Sequence, residues 1–298
     1  MPFRPRHRSP TLCSAWRTVR GLELHARVSA EPAAGAPPLV LVHGLGVSSR
    51  YLMPVARRLA ADFAVVAPDL PGHGRSDAPP RALGVPELAD ALLAWMDAVG
   101  LARPALLGNS LGCQVLIDLA ARRPERVGPL VLVGPTIDRH HRTLPAQLAR
   151  LVATGLFERP SLLPLLLLDY GRMLRRVPGE VRAAFDDRPE EKAPRVRAPA
   201  LVVRGAHDLL ATPRWARELA TLLGSDAVRV VPGAGHALNF SAPDALAAIV
   251  REELLGAGSD DGGARAQPRA RSSSSSISAE RSASSCSASE SSATRVIS

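Results

Sequence analysis

Short aliphatic runs alternate along the chain with stretches in which apolar residues recur at helical spacing. The aliphatic runs are typical of strands buried on both faces of a parallel sheet. They occupy residues 39–42, 63–68, 105–107, 130–133, 200–203 and 228–231. The helix-periodic stretches cover about 48–61, 86–100, 111–123, 213–223 and 243–255. This repeated strand-then-helix order predicts an α/β fold built on a doubly wound, mostly parallel sheet.

One long segment departs from this alternation. Residues 135–195 hold helical patterns at Pro145–Gly155 and Leu162–Arg176 but no convincing strand. We expect a small helical cap, inserted before the penultimate strand and lying over the carboxyl edge of the sheet. Ligands bind at that edge in open α/β sheets, and a cap would shield them from water.

The two ends of the chain lack such patterns. From Ser272 to Ser298, 14 of 27 residues are serine, so too few apolar side chains are present to offset the entropy of ordering. We predict a disordered basic arm at 1–14 and a disordered serine-rich tail at 257–298. The α/β core then comprises 15–134 and 196–256, with the cap at 135–195, and the pattern at 18–29 predicts a hairpin near its start.

The net charge of +9 does not indicate a nucleic-acid-binding face, because residues 1–20 contribute +5 and residues 257–298 contribute +1. No run approaches the roughly 20 apolar residues that a membrane span needs. The three cysteines form neither a CxxC pair nor a disulfide framework, and no signal-peptide segment is visible. We therefore expect a cytoplasmic protein that acts on a small molecule and binds neither nucleic acid nor membrane. Its oligomeric state stays open.

The sharpest chemical signal is Gly108-Asn109-Ser110-Leu111-Gly112, which follows one aliphatic run and opens a helical pattern. A serine on a tight strand-to-helix turn presents its hydroxyl above the sheet, and small residues two positions before and after it make room for the turn. The pattern predicts that Ser110 is a nucleophile. The alternative is a glycine-rich turn before a helix, in which Ser110 has no catalytic role.

A serine hydroxyl needs a base to become nucleophilic, and the base needs an acid that fixes its tautomer. His236 lies in a glycine-rich loop after the last strand and is the candidate base. Asp208 follows the preceding strand and is the candidate acid. Asp138, which follows the strand at 130–133, is a rival acid on the same edge. Cys113 lies one turn beyond the serine, and we expect it to be a buried core residue.

The oxyanion that develops during acyl transfer needs two N–H donors. The residue directly after the serine, Leu111, offers one backbone amide. The glycine-rich loop His43-Gly44-Leu45-Gly46 follows an earlier strand, and the amide of Leu45 is the second candidate. We expect His43 to hydrogen-bond loop backbone rather than to react.

With these motifs, the chain resembles the α/β-hydrolase fold superfamily, in its single-chain form with a helical cap, over about residues 16–256. The matching parts occur in the superfamily's order, at His43–Gly46, Asp69–Ser76, Gly108–Gly112, Gly205–Asp208 and Gly235-His236. The resemblance implies Ser110 as nucleophile, His236 as base and Asp208 as orienting acid. It further implies oxyanion donors at Leu45 and Leu111, support from His43, Gly44, Gly46 and Asn109, and a structural role for Asp69–Ser76.

The function that this predicts is a serine hydrolase that cleaves a small, mostly apolar ester or related acyl substrate through an acyl-enzyme. Such a mechanism needs no metal and no organic cofactor. Leu162–Leu168 would make the cap apolar, and one of Arg172, Arg175 and Arg176 could face a substrate carboxylate.

Three alternatives share the same fold. Asn109 is common before the serine of hydrolases that cleave carbon–carbon bonds of meta-cleavage products, but Cys113 and Ala237 depart from the pattern of those enzymes. An acyltransferase would use the same triad with an alcohol or amine as acceptor. A non-catalytic binding protein would use the pocket as a receptor.

Overall fold

The computed structural model describes residues 11–225 and 228–256, without the side chains of 172 and 173. Residues 1–10 of the predicted arm and the whole predicted tail at 257–298 lie outside the described residues. In the described part, the strands are β1 (Leu12–Val19), β2 (Leu22–Ser29), β3 (Pro38–Val42), β4 (Ala64–Pro68), β5 (Ala105–Asn109), β6 (Leu130–Val133), β7 (Ala200–Gly205) and β8 (Val228–Val231).

Helices fill most of the connections between these strands. The α-helices are α1 (Ser49–Leu59), α2 (Val85–Ala98), α3 (Leu111–Arg122), α4 (Leu144–Gly155), α5 (Leu162–Met173), α6 (Val177–Asp186), α7 (Pro189–Lys192), α8 (Pro213–Leu222), α9 (Leu238–Ser241) and α10 (Pro243–Leu255). Short 3₁₀ helices occupy Pro124–Arg126, Arg139–His141 and Ala193–Arg195.

The strands form one sheet in the order β1-β2-β4-β3-β5-β6-β7-β8. β1 and β2 pair antiparallel, as do β2 and β4, and every later pair in this order is parallel. Parallel neighbours need crossover connections, and helices supply them here. The prediction of a doubly wound, mostly parallel sheet is confirmed.

The central strands are apolar throughout because both faces of the sheet are covered. Leu106, Leu132 and Val202 point to a core shared with α2, α3 and α8, whereas residues of opposite parity such as Leu107 and Val203 point to a core shared with α1 and α10. The two cores hold the carboxyl ends of β5, β7 and β8 at one edge of the sheet. This edge carries the candidate chemistry.

Two predictions at the sheet margins need correction. Residues 12–14, predicted as part of the disordered arm, belong to β1, because Leu12 to Ser14 pair with residues 27–29 of β2. The last strand, β8, is not buried on both faces, because it lies at the edge of the sheet, where Arg229 and Val230 are exposed. The hairpin predicted at 18–29 is present, with its turn at Arg20-Gly21.

The segment between β6 and β7 is helical, from the 3₁₀ turn at Arg139–His141 through α4, α5, α6 and α7. It therefore enters the chain before the penultimate strand, as predicted, and α5 ends at Met173 rather than at Arg176. We call residues 135–195 the inserted segment. Among the described residues, no helix is both long and apolar enough to cross a membrane.

Candidate active site

Ser110 lies on the sharp turn between β5 and α3. Its backbone φ of +56° is in the left-handed region, which costs a residue with a side chain about 1–3 kcal/mol. Glycine is required two positions before and two positions after Ser110. A Cβ on Gly112 would overlap the carbonyl oxygen of Val42, and a Cβ on Gly108 would lie 2.8 Å from the Gly112 carbonyl group. The sequence pattern predicted this sharp strand-to-helix turn, which we call the elbow, and the structure adds that its backbone is strained at Ser110.

His236 and Asp208 meet at the carboxyl ends of β8 and β7. The imidazole Nδ1 donates to Asp208 Oδ2 at 2.9 Å, so the other ring nitrogen, Nε2, is free to act as acceptor in the neutral ring. The remaining carboxylate oxygen, Oδ1, accepts the backbone N–H groups of Leu210 and Ala211, both at 2.9 Å. The Arg204 guanidinium holds the same loop by donating to the carbonyl of Asp208 at 2.7 Å.

The rival acid, Asp138, is also fully buried but is used elsewhere. Its Oδ1 accepts the backbone N–H of His140 at 2.8 Å, and its Oδ2 accepts the Thr212 hydroxyl at 2.7 Å. It therefore caps the 3₁₀ turn at 139–141 and ties it to the start of α8. Of the two aspartates, the structure brings Asp208 to the imidazole.

The environment of His236 favours its protonated form. Burial alone would lower the pKa of this imidazole, but the charge of Asp208, the hydrogen bond to Asp208 and the charge of Glu158 together raise the pKa above its ordinary value of 6.5. A base with a raised pKa accepts a proton from a hydroxyl more readily.

Gly134 makes room for this pair, and sequence reasoning missed it. It follows β6 with φ +55°, and a Cβ there would lie 2.9 Å from His236 Nδ1 and 3.0 Å from Asp208 Oδ2. A glycine directly after an apolar strand, at the same edge as Ser110, was the available signal.

The Ser110 hydroxyl lies 3.4 Å from the Thr136 hydroxyl. Ser110, Thr136 and His236 line one cavity. The nucleophile and base candidates therefore face the same space, and Thr136 is a further polar group there that the sequence patterns did not single out.

The candidate oxyanion donors flank Ser110. Leu111 is the first residue of α3, where backbone N–H groups have no acceptor inside the helix. On the other side, a Cβ on Gly44 would lie 3.1 Å from the Cβ of Ser110, so the loop that carries Leu45 packs directly against the serine. Leu45 and Leu111 both line the cavity.

Hydrogen bonds made by His43 and by Tyr170 fix the loop that carries Leu45. His43 Nδ1 donates to the Gly44 carbonyl at 2.8 Å, and its Nε2 accepts the N–H of Leu70 at 3.0 Å. Burial, with the neighbouring His73, lowers the pKa of His43 to about 3, which keeps the ring neutral. From α5, Tyr170 donates its hydroxyl to the Leu45 carbonyl at 3.3 Å and lies against Gly46.

Asn109 and Cys113 connect the elbow to its surroundings. The Asn109 side-chain amide donates to the carbonyls of Val133 at 3.2 Å and of His236 at 3.4 Å, so it bridges β6 and the histidine loop. Cys113 is fully buried, as predicted, and its thiol contacts the carbonyls of Gly108 and Val133. Burial raises the pKa of this thiol well above its ordinary value, so it stays protonated.

The cavity above Ser110 has a volume of about 970 Å³ and is mainly apolar. Much of its wall comes from leucines of the inserted segment, at 144, 148, 151, 156, 162, 163, 166, 167 and 174. Glu158 and Arg159 also line it. Within the described residues, no group of three or more His, Cys, Asp or Glu side chains could hold a metal ion.

Of the three arginines from which one could face a substrate carboxylate, Arg175 and Arg176 do not line this cavity. Arg176 donates to the carbonyls of Pro79 and Arg81, both at 2.7 Å, and thereby anchors the start of α6 to the core. Arg175 is exposed, and the side chain of Arg172 lies outside the described residues. Arg159, which was not singled out, is a lining arginine instead.

Comparison with known proteins agrees with this architecture. A sequence model described as "Alpha/beta hydrolase family" matches residues 39–249. A Klebsiella pneumoniae (strain 342) protein named "Putative carbamate hydrolase RutD" is 30% identical over 260 residues, which cover 78% of this chain and 96% of that protein.

Solved structures are similar over most of the fold. The enol-lactonase from Burkholderia xenovorans LB400 has a TM-score of 0.64 and 26% identity, and the match covers 81% of this chain and all of that one, 100%. Naproxen esterase from Bacillus subtilis has a TM-score of 0.67 at 20% identity, covering 82% of this chain and 92% of that one, and this likeness concerns the fold alone.

Proposed function

The chain belongs to the alpha/beta hydrolase family, and similar proteins include one named as a putative carbamate hydrolase and an enol-lactonase. We propose that it is a serine hydrolase for apolar esters or related acyl substrates. Ser110 is the nucleophile, His236 the base and Asp208 the acid that orients the base. The backbone amides of Leu45 and Leu111 stabilise the oxyanion.

In the proposed reaction, each of these groups has one role. His236 Nε2 takes the Ser110 proton as the serine oxygen attacks the substrate carbonyl, and Asp208 stabilises the imidazolium that forms. The imidazolium then protonates the leaving alcohol, and an acyl-enzyme remains. Water, deprotonated by the same imidazole, attacks this ester and releases the acid, and the serine regains its proton.

One observation carries this proposal. Ser110 and His236 line the same cavity. The backbone is strained at Ser110, and His236 is hydrogen-bonded to Asp208 at 2.9 Å. A binding protein that used this cavity as a receptor would need neither the backbone strain nor a buried carboxylate aimed at a histidine.

The walls of the cavity support an apolar acyl or alcohol group in the substrate. Leucines dominate the wall, and Ser110, Thr136 and His236 are among its polar residues. The volume of about 970 Å³ exceeds what a small ester fills, so we extend the substrate class to esters with large apolar groups.

A carbamate is a second candidate substrate, because a relative matched over 78% of this chain and 96% of its own length is named "Putative carbamate hydrolase RutD". A carbamate carbonyl would meet the same nucleophile and the same oxyanion donors. No contact in the site favours cleavage of a carbon–carbon bond or transfer of the acyl group to an alcohol or amine.

Cytoplasmic location stays a prediction from cysteine usage.

A panel of p-nitrophenyl esters from acetate to decanoate, extended by a p-nitrophenyl carbamate, tests the proposal in the wild type and in Ser110→Ala. We expect turnover in the wild type and a loss of up to about 10⁶-fold in kcat for the variant, with an unchanged thermal unfolding midpoint. Equal rates in the two proteins would contradict the assignment of the serine.

A further inference from the structure

The end of α4 and the turn after it contact both loops that carry the acid and the base. On the acid loop, the Arg150 guanidinium donates to the Leu209 carbonyl at 2.9 Å, and the Thr154 hydroxyl accepts the Leu209 N–H at 3.2 Å. The Phe157 ring stacks on His207 with centroids 4.3 Å apart. Because Leu209 directly follows Asp208 and His207 directly precedes it, these contacts join the inserted segment to the acid loop on both sides of Asp208.

On the base loop, the contact is a carboxylate. Glu158 Oε1 accepts the N–H of Ala237 at 2.7 Å, and Oε2 accepts the Ser241 hydroxyl. The carboxylate lies so close to Gly235 that a Cβ there would overlap Oε1. Glu158 therefore contacts the residues on both sides of His236, although it is distant in sequence and belongs to the inserted segment.

We propose that Glu158 is a positioning residue for His236, which anchors the base loop through Ala237 and Ser241 and places a second carboxylate beside the imidazole. The proposal rests on the proposed function, since it assigns Glu158 to the same base. Displacement of the inserted segment from the core would remove both the anchor and the charge. The base strength of His236 is thereby linked to the placement of this segment.

The other titratable or charged groups near His236 do not place a negative charge beside its ring as Glu158 does. Tyr51 of α1 and Cys113 of α3 both have raised pKa values, mainly because they are buried, and stay neutral. Arg204 acts through the Asp208 loop, and Arg159 lines the cavity on the segment that carries Glu158. After Asp208, Glu158 is the carboxylate whose charge raises the pKa of His236.

An NMR titration of the His236 ring in the full chain tests the proposal without any turnover. Glu158→Gln keeps a carbonyl oxygen that can accept the Ala237 N–H but removes the charge. We expect the titration midpoint of His236, assigned with His236→Gln, to move to lower pH. Glu191→Gln is the matched control, because it removes the same charge from an exposed site of the same segment and should leave the midpoint in place.

Ester hydrolysis gives the second readout. In Glu158→Gln, the acidic limb of the kcat/KM profile should move to lower pH in parallel with the NMR midpoint, with little change in KM. Glu158→Ala also loses the anchor, so its kcat at the pH plateau should fall by about ten- to a hundredfold. Ser241→Ala keeps the charge and should leave the NMR midpoint close to that of the wild type.

An unchanged His236 midpoint in a folded Glu158→Gln protein overturns the proposal, as does an equal shift in Glu191→Gln. Should Glu158→Gln fail to fold, the Ser241→Ala and Glu158→Asp proteins are compared instead. Glu158→Asp keeps the charge on a shorter side chain, so a wild-type midpoint with reduced kcat is expected, and a wild-type kcat contradicts the anchor. Absence of ester hydrolysis by the wild type would contradict the proposed function alone, because the NMR measurement does not depend on turnover.

Discussion

Asp208 and Asp138 are both fully buried aspartates that follow neighbouring strands, yet their contacts differ. Asp208 accepts from the His236 ring, whereas Asp138 accepts from the His140 amide and the Thr212 hydroxyl. An acid that fixes the histidine tautomer is needed for general-base catalysis, and an acid that caps a turn is needed for stability. Substitution of Asp208 should therefore lower activity, whereas substitution of Asp138 should lower stability.

Asp208→Asn should lower kcat by about 10⁴-fold, because an amide at this position favours the wrong imidazole tautomer. Asp138→Asn should change kcat by less than about threefold and should lower the free energy of unfolding by about 1 kcal/mol. Steady-state kinetics and urea denaturation of both variants separate the roles. Similar kcat losses would mean that the acid has been assigned to the wrong loop.

The pH dependence follows from the raised pKa of His236. In the proposed mechanism the neutral imidazole accepts the serine proton, so activity should be lost as the pH falls through this pKa. Because Asp208 and Glu158 raise the pKa, the acidic limb of kcat/KM should have its midpoint above pH 6.5, the ordinary value for histidine. A midpoint below pH 6.5 in the wild type would show that burial outweighs the two carboxylates.

The residues of the site differ in how far sequence could place them. Ser110, His236 and Asp208 follow strands that end at one edge of the sheet, so their placement at that edge could be expected from topology. The choice between Asp208 and Asp138 could not, because both follow strands at that edge. Glu158 and Tyr170 could not be found either, since helical periodicity does not tell which residue of an inserted helix, or of the turn after it, contacts a loop of the core.

At the scale of elements, the strand-to-helix elbow depends on close backbone packing. A Cβ on Gly112 would overlap the Val42 carbonyl oxygen, so the start of α3 would have to move away from β3. That movement would displace both the Ser110 side chain and the Leu111 amide. The elbow therefore links fold stability to the site.

Gly112→Ala should lower the free energy of unfolding by about 1–3 kcal/mol and should reduce kcat as well. Gly171→Ala is the matched control, since this glycine lies inside α5 with open space at its Cβ position. The control should raise the free energy of unfolding by about 0.5–1 kcal/mol. Chemical denaturation measures both, and a Gly112→Ala protein of wild-type stability would contradict the packing argument.

Element order was predictable because the aliphatic runs are short, clear and separated by helical periods. The bounds of β5, β6 and α3 agree closely with those patterns. The margins were harder. Leu12–Ser14 pair with β2 although no strand pattern was recognised in their sequence. Three of the four residues of β8 are valines, as in a buried strand, although β8 lies at the edge of the sheet.

At the scale of the whole molecule, exposed apolar side chains concentrate in the inserted segment. Leu163 and Leu167 lie one turn apart on α5, with 59% and 66% of their surface exposed, and both line the cavity. Such a surface is typical of a binding site rather than of a solvated helix. We expect it to be covered by the apolar part of the substrate.

For this reason, kcat/KM should rise with acyl chain length by up to about fourfold per methylene until the cavity is filled. Leu163→Ser together with Leu167→Ser should flatten this dependence and leave acetate hydrolysis nearly unchanged. Leu255→Ser, at an exposed leucine on α10, is the control and should leave the dependence intact. A double variant with the wild-type chain-length profile would place the acyl group elsewhere.

The most direct test of the central claim is covalent trapping of the nucleophile. The full-length protein is treated with a fluorophosphonate, and the modified residue is identified by peptide mass spectrometry. The account predicts a single adduct on Ser110, formed in the wild type and strongly slowed in His236→Ala. An adduct on another residue, or an unmodified Ser110 in a protein that still hydrolyses esters, would contradict it.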